Sequence, residues 1–366
     1  MFKSDTLTHQ VLKNCHISDA RYAGLYSICG LALRLRDLYK WEKGLAPWIE
    51  KDTSEISEWI GEKESVWDEL YQKDFSKIAI SGLTYDPFDT GGINAVIESH
   101  GLLYGAGYAH SLKPTFFLAA IEDKKEIGGH PIYMLGRELA RDLFTTPALC
   151  QDNCILIRKE AATLFLWDKI FFIKKSSRYA LKIALEIYGL NESHPEAMHG
   201  GLGEIVAAEI DTYIYHELGE LNDTIFDRTI WQEMIAAYPR TAIEFLVRAV
   251  KDLLADTNEY GTLNNIVEYH KTASLALYVA FLDGFLKMLF PELPKAFKTF
   301  IKTGNWDVVA QAAFSGLNTA THYANALSKI YTSGKEKNDM DWTKNEIEKR
   351  LLVPLGITKD NLGKSD

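Results

Sequence analysis

The stretch that most restricts the fold is Leu102 to Leu135. It holds three strand-like runs, Leu102–Ala109, Thr115–Glu122 and His130–Leu135. Between the second and third lies Asp123-Lys124-Lys125-Glu126-Ile127-Gly128-Gly129, a polar segment of the kind that closes a hairpin. Lys113 precedes Pro114 and must be extended, because the proline ring excludes helical backbone before it. Together with the β-branched run Lys77-Ile78-Ala79-Ile80, these segments predict an antiparallel sheet of two to four strands. Most of the remaining chain places apolar residues at helical spacing. The expected fold class is α+β: mostly α, with a small antiparallel β-sheet insertion and a multi-helix C-terminal bundle.

The helical segments define an expected domain organisation. Residues 1–76 read as N-terminal helices, including Arg21–Tyr39 and Ser54–Gln72. Residues 77–136 hold the sheet, and Ile93–His100 within them forms a short helix closed by Gly101. Residues 137–355 read as a helical domain. Its expected helices include Arg137–Phe144, Ala148–Lys174, Ser177–Tyr188, Thr241–Asp256 and a long core helix at Leu263–Phe290. Asn191–Gly203 reads as a loop, and residues 356–366 as a flexible tail.

Composition narrows the function classes. The net charge is −10 and the pI about 5.6, which argues against a mainly electrostatic nucleic-acid binder. The longest apolar stretch, Ala273–Phe290, contains Asp283 and Lys287 and so reads as a core helix, not a membrane span. Met1–Cys15 shows no basic segment followed by an apolar core, so no secretory signal is expected. The four cysteines, Cys15, Cys29, Cys150 and Cys154, do not form a disulfide framework in a chain of 366 residues. A cytoplasmic location follows. Gly-x-Gly-x-x-Gly after a strand, a Walker loop and a Gly-x-Ser-x-Gly elbow are all missing, which removes the common nucleotide-binding and serine-hydrolase readings.

The densest set of metal-ligating groups is His199–Asp223, HGGLGEIVAAEIDTYIYHELGELND. At ~100° per residue, Glu209, His216 and Glu220 fall within roughly 40° of one another on a helix. Glu217 points into the adjacent apolar face, where a carboxylate costs several kcal/mol unless paired. Two readings follow. In one, Glu209, His216 and Glu220 ligate zinc, iron or manganese, and Glu217 is the catalytic carboxylate acting on metal-bound water. In the other, the stripe is a polar helix face whose buried carboxylate meets an arginine from a neighbouring helix. His216-Glu217-x-x-Glu220 lacks the second histidine of the zinc-protease motif His-Glu-x-x-His. Glu268 is a reserve candidate on a second helix.

A second constellation could bind an anionic small molecule. His110, Lys113, Glu138 and Arg141 converge at one end of the sheet if a helix starts near Arg137. The alternative is a salt-bridged junction.

Gly136-Arg137-Glu138-Leu139-Ala140-Arg141-Asp142-Leu143-Phe144-Thr145-Thr146-Pro147 and His216-Glu217-Leu218-Gly219-Glu220 stand out together, with Lys251–Thr257 and Gly261-Thr262-Leu263 after them. On these segments the chain resembles a bacterial family of mostly helical proteins of unknown function, over roughly residues 75 to 310. The resemblance implies a bacterial cytoplasmic protein and transfers no activity. The sequence thus supports a metal-dependent enzyme, hydrolase or non-haem oxidase. The alternative is a non-catalytic scaffold or partner-binding protein, marked by a large exposed apolar patch or a stable homo-oligomer.

Overall fold

A computed structural model describes residues 3–190 and 195–357 of the chain. The expected loop residues 191–194 and tail residues 358–366 lie outside the described residues. The chain divides into two compact units, which part between Asp168 and Lys169.

The first unit opens with helices α1 (Ser4–Tyr22), α2 (Ile28–Glu42) and α3 (Thr53–Leu70). A two-stranded ribbon follows, β1 (Ile78–Ile80) with β2 (Leu83–Tyr85). Next is α4 (Thr90–Ile97), begun by an Asp89 carboxylate that accepts from the Gly92 amide. The main sheet is built from β3 (Leu102–Tyr108), β4 (Pro114–Ile127), β5 (His130–Arg141), β6 (Ala148–Gln151) and β7 (Cys154–Arg158). Helix α5 (Lys159–Phe171) follows β7 and runs across the division between the units.

The three strands and the hairpin expected from the sequence are present, and the turn helix before Gly101 is too. The sheet is not small, however. It has five strands in the order β3-β4-β5-β7-β6, and β5 pairs with β7 in parallel. Arg137–Phe144 is not a helix, because β5 runs on to Arg141. Ala148–Lys174 is not one long helix either; its first half is the β6–β7 hairpin, turning at Asp152-Asn153 with positive φ at both residues. Cys150 and Cys154 therefore lie on opposed strands, where Cys150 pairs with Ile155 and Cys154 with Gln151. Ile155, Leu156 and Ile157 are all buried, so alternation vanishes there and the run looks as helical as it looks extended.

The sheet's two faces carry different side chains. Leu102, Tyr104, Phe116, Leu118 and Ala140 pack under α1 and α4. Leu103, Phe117, Ala119, Leu135 and Leu156 form the opposite face. A bulge at Leu139 reorganises that second face. Phe117 pairs with Arg141, Leu118 with Ala140, and Ala119 with Glu138, so Leu139 is the extra residue. Because paired residues share a face, the bulge puts Glu138 and Arg141 on the same side as Phe117 and Ala119. Arg158 pairs with Leu135 and joins them.

The second unit is helical: α6 (Arg178–Ile187), α7 (Pro195–Asn222), α8 (Arg228–Ala237), α9 (Ala242–Thr257), α10 (Thr262–Glu268), α11 (Thr272–Phe281), α12 (Gly284–Leu289), α13 (Glu292–Thr303), α14 (Asp307–Lys337) and α15 (Met340–Ile347). Helix α9 is its centre, fully burying Leu246, Val247, Val250, Leu253 and Leu254. Helices α7, α8, α10, α12 and α14 pack around it. The long helix expected at Leu263–Phe290 is broken into α10, α11 and α12. The first break falls at the left-handed residue His270 (φ 51°), and the second at the extended residues Leu282 and Asp283. From Pro195 the expected loop is helical, so the three glycines Gly200, Gly201 and Gly203 lie inside α7.

Helices α7 and α9 touch backbone to backbone. A Cβ on Gly219 would lie 2.0 Å from the Ala255 carbonyl oxygen, and one on Gly261 2.1 Å from it. This close approach, which only glycine permits, brings His216 of α7 against Asp256 of α9.

Candidate functional site

On α7, His216 and Glu220 are one turn apart and share a face. On α9, Asp252 and Asp256 have the same spacing, with Lys251 beside them. His216 Nδ1 lies 2.8 Å from Asp256 Oδ1, and its Nε2 lies 3.2 Å from Glu220 Oε1. Tyr278 donates its hydroxyl to the other Asp256 oxygen at 2.6 Å. Lys251 Nζ binds Glu220 and sits 3.2 Å from Asp252 Oδ1. One ligand atom from each of His216, Glu220 and Asp252 lies within 4.8 Å of the others. These three side chains are 28%, 21% and 38% exposed, so solvent and small solutes reach them.

The charges here stabilise one another. Burial disfavours the imidazolium of His216, yet Asp256 and then Glu220 outweigh it and hold the ring's pKa well above its ordinary value. Burial likewise opposes the Lys251 ammonium, but Glu220, Asp252 and Glu217 keep it charged. Glu220 is pulled far below the usual carboxylate range by Lys251 and His216, against the effect of its burial. Asp256 sits in the last turn of α9, where the helix dipole disfavours a carboxylate. His216 and Tyr278 offset that penalty.

The structure brings together His216 and Glu220 but not Glu209. Glu209 lies two turns earlier, where Ser274 and Tyr188 donate to it at 2.7 Å and 3.1 Å. Burial raises its carboxyl above the usual range. Glu217 is buried, and its charge supports that of Lys251. Glu268 is exposed at the end of α10. The residues that sequence reasoning passed over are Asp252, Asp256, Lys251 and Tyr278. The signal was available in Lys251-Asp252-Leu253-Leu254-Ala255-Asp256, where two carboxylates one turn apart share a helix face.

In the first unit, Lys113, Glu138 and Arg141 are all buried, whereas His110 is exposed, with its ring 6.3 Å from that of Phe144. The β3–β4 turn holds Ser111 and Leu112 at φ 56° and 58°, left-handed geometry that is strained for leucine. It delivers Lys113 to two carboxylates, Asp19 at 3.1 Å and Asp142 at 3.3 Å. Asp19 also accepts from the Leu143 amide, and Asp142 from those of Phe116 and Phe144. Burial pushes the Asp19 carboxyl up to about 7 despite Lys113. Glu138 has other partners: Arg158 Nε at 2.6 Å and Arg141 Nη1 at 3.6 Å.

Among the described residues no helix is long and apolar enough to cross a membrane. No curated protein and no solved structure matches the chain. Two family models do. Residues 6–158 match the N-terminal domain, and residues 163–350 the C-terminal domain, of one family of unknown function, DUF6866. The two matches together span most of the chain and establish that it belongs to the DUF6866 family.

Proposed function

We propose that the second unit is a divalent-metal-dependent hydrolase whose ligands are His216 Nε2, Glu220 and Asp252. The observation that carries this reading is the orientation of His216. Asp256 takes its Nδ1, so its Nε2 is directed toward Glu220 and Asp252. A carboxylate behind a histidine is the usual support for a metal-ligating imidazole, because it fixes the tautomer and raises the ring's basicity. One nitrogen and two carboxylate oxygens suit manganese or zinc. A metal in this setting supplies an activated water. Glu217, buried beside Lys251, is the carboxylate assigned to accepting the proton. Hydrolysis is preferred over a non-haem oxidase because the oxidase ligand set needs two histidines. His216 supplies the one imidazole among these three ligands. The free cysteines suit a reducing setting, which we take to be a bacterial cytoplasm.

The test is hydrolysis of generic phosphate-ester and amide substrates by protein loaded with manganese or zinc. Activity that chelator abolishes, and that Glu217→Gln lowers by ~100-fold or more, supports the reading. Metal-independent activity, or none in any loaded form, counts against it. Lys251 favours a second reading, since its ammonium bridges Glu220 and Asp252. In it, the cluster is an ion-pair node clamping α7 to α9 in a non-catalytic, partner-binding protein. Metal binding separates the two.

A further inference from the structure

Glu138, Arg141 and Arg158 share one sheet face through the Leu139 bulge, and all three are buried. Their floor is apolar: the Arg158 guanidinium stacks on the Phe117 ring at 4.2 Å. Trp41 lies 5.8 Å from the Arg141 guanidinium. Gly105 is the neighbour of Phe117 on β3, and a Cβ there would strike the Phe117 ring at 2.0 Å. The ring is thus held in place beneath the guanidiniums.

The hydrogen bonding of this cluster does not close. Arg141 Nε and Nη1 and Arg158 Nη2 are buried and have no acceptor within hydrogen-bond reach among the described residues, and Glu138 Oε2 is buried there without a donor. The distance of 3.6 Å from Arg141 Nη1 to Glu138 Oε2 is an ion pair, too long for a hydrogen bond. A buried donor on a charged group is expensive to leave unmet. Both guanidiniums lie against the Glu138 carboxylate, at 3.6 Å for Arg141 and 2.6 Å for Arg158. Glu160 accepts from the Glu138 amide; burial raises its carboxyl above the usual range, and that amide and Arg141 pull it back down. The next carboxylates have cations of their own: Asp142 has Lys113 at 3.3 Å, and Asp37 has Arg36 at 3.3 Å.

We propose that Arg141 and Arg158 bind a compact monoanion, of halide or carboxylate size, between them on the Phe117 face of the sheet. Its lone pairs satisfy the three open donors that the two guanidiniums present. The depth of the cluster restricts the ligand to something small. Glu138 then acts as the positioning residue, because it holds Arg158 Nε and leaves Nη2 to the anion. This site lies in the first unit and does not depend on the metal site of the second.

The full chain crystallised from bromide, with data collected at the bromine edge, tests the proposal directly. An anomalous peak within hydrogen-bonding distance of Arg141 and Arg158 is expected. A parallel thermal melt with sodium bromide or sodium formate, at fixed ionic strength, should show a saturable rise in Tm that Arg141→Met abolishes. A response to formate alone identifies a carboxylate ligand, and one to both identifies a general monoanion site. Ordered water at the open donors with no anomalous peak, together with a Tm that does not saturate with either anion, overturns it. If Arg141→Met does not fold, the wild-type peak and melt still decide the matter.

Discussion

Asp256 Oδ1 stands 2.8 Å from His216 Nδ1, across a contact between α7 and α9 in which Gly219 meets the Ala255 carbonyl. The carboxylate fixes which ring nitrogen faces Glu220. Asp256→Asn keeps the size of the side chain and removes that charge. It should weaken zinc or manganese binding by ~10–100-fold, the usual effect of losing a histidine's supporting carboxylate. Calorimetric titration measures it. Equal affinity in the variant would show that Asp256 does not orient a ligand.

The helix contact itself sets the second prediction. A methyl on Gly219 would have to sit 2.0 Å from a backbone oxygen, so α7 and α9 must separate. Gly219→Ala should destabilise the protein by ~1–3 kcal/mol, the range for overpacking a core. Gly203→Ala, in the same helix but with open space around it, should be neutral or slightly stabilising. Denaturant melts of the two variants check the contrast.

Glu138 is the carboxylate between two buried guanidiniums, at 2.6 Å and 3.6 Å. Glu138→Ala removes the carboxylate that both cations touch. A loss of ~3–5 kcal/mol is expected, as when one partner of a buried ion pair is deleted. A loss below about 1 kcal/mol in chemical unfolding would mean that the arginines find other compensation.

Asp168 yields a pH prediction. Burial, and then the neighbouring Asp37 carboxylate, push Asp168 up to about 7. Arg36 Nη2 lies 3.3 Å from each carboxylate, and Asp37 Oδ2 is buried with no donor among the described residues. A proton shared between the two carboxylates explains both facts. The folded pKa lies above the unfolded value of ~3.9, so this contribution is complete at low pH and is lost as pH rises toward about 7. Asp168→Asn supplies a neutral donor at every pH. It should raise Tm by ~2–4 °C at pH 8, equivalent to ~1 kcal/mol, and leave it nearly unchanged at pH 4. A Tm difference that does not vary with pH would contradict the shared proton.

The sheet's first three strands were legible because turn chemistry brackets them: Gly101 before β3, Pro114 at the head of β4, and Gly128-Gly129 between β4 and β5. The end of β5 was not. Its bulge places Glu138 and Arg141 three apart on one face, which is a helical spacing, in a segment of helix-forming residues. The β6–β7 hairpin hid for another reason, since burial on both faces erased the period of two. In the candidate site, the α7 half was legible from the spacing of His216 and Glu220. The α9 half depends on a tertiary contact made by Gly219 and Gly261, which no local pattern reports. Glu209 shows the converse, because the face shared with His216 is real, yet two turns of helix carry it to Ser274 and Tyr188.

The most direct measurement is elemental analysis of the full chain, purified without an affinity tag or chelator, alongside His216→Ala and Asp252→Asn. The account predicts about one equivalent of manganese or zinc in the wild-type protein, with little or none in either variant. Wild-type protein that takes up no divalent metal, even after incubation with excess manganese or zinc, or variants that retain it in full, would contradict the metal site.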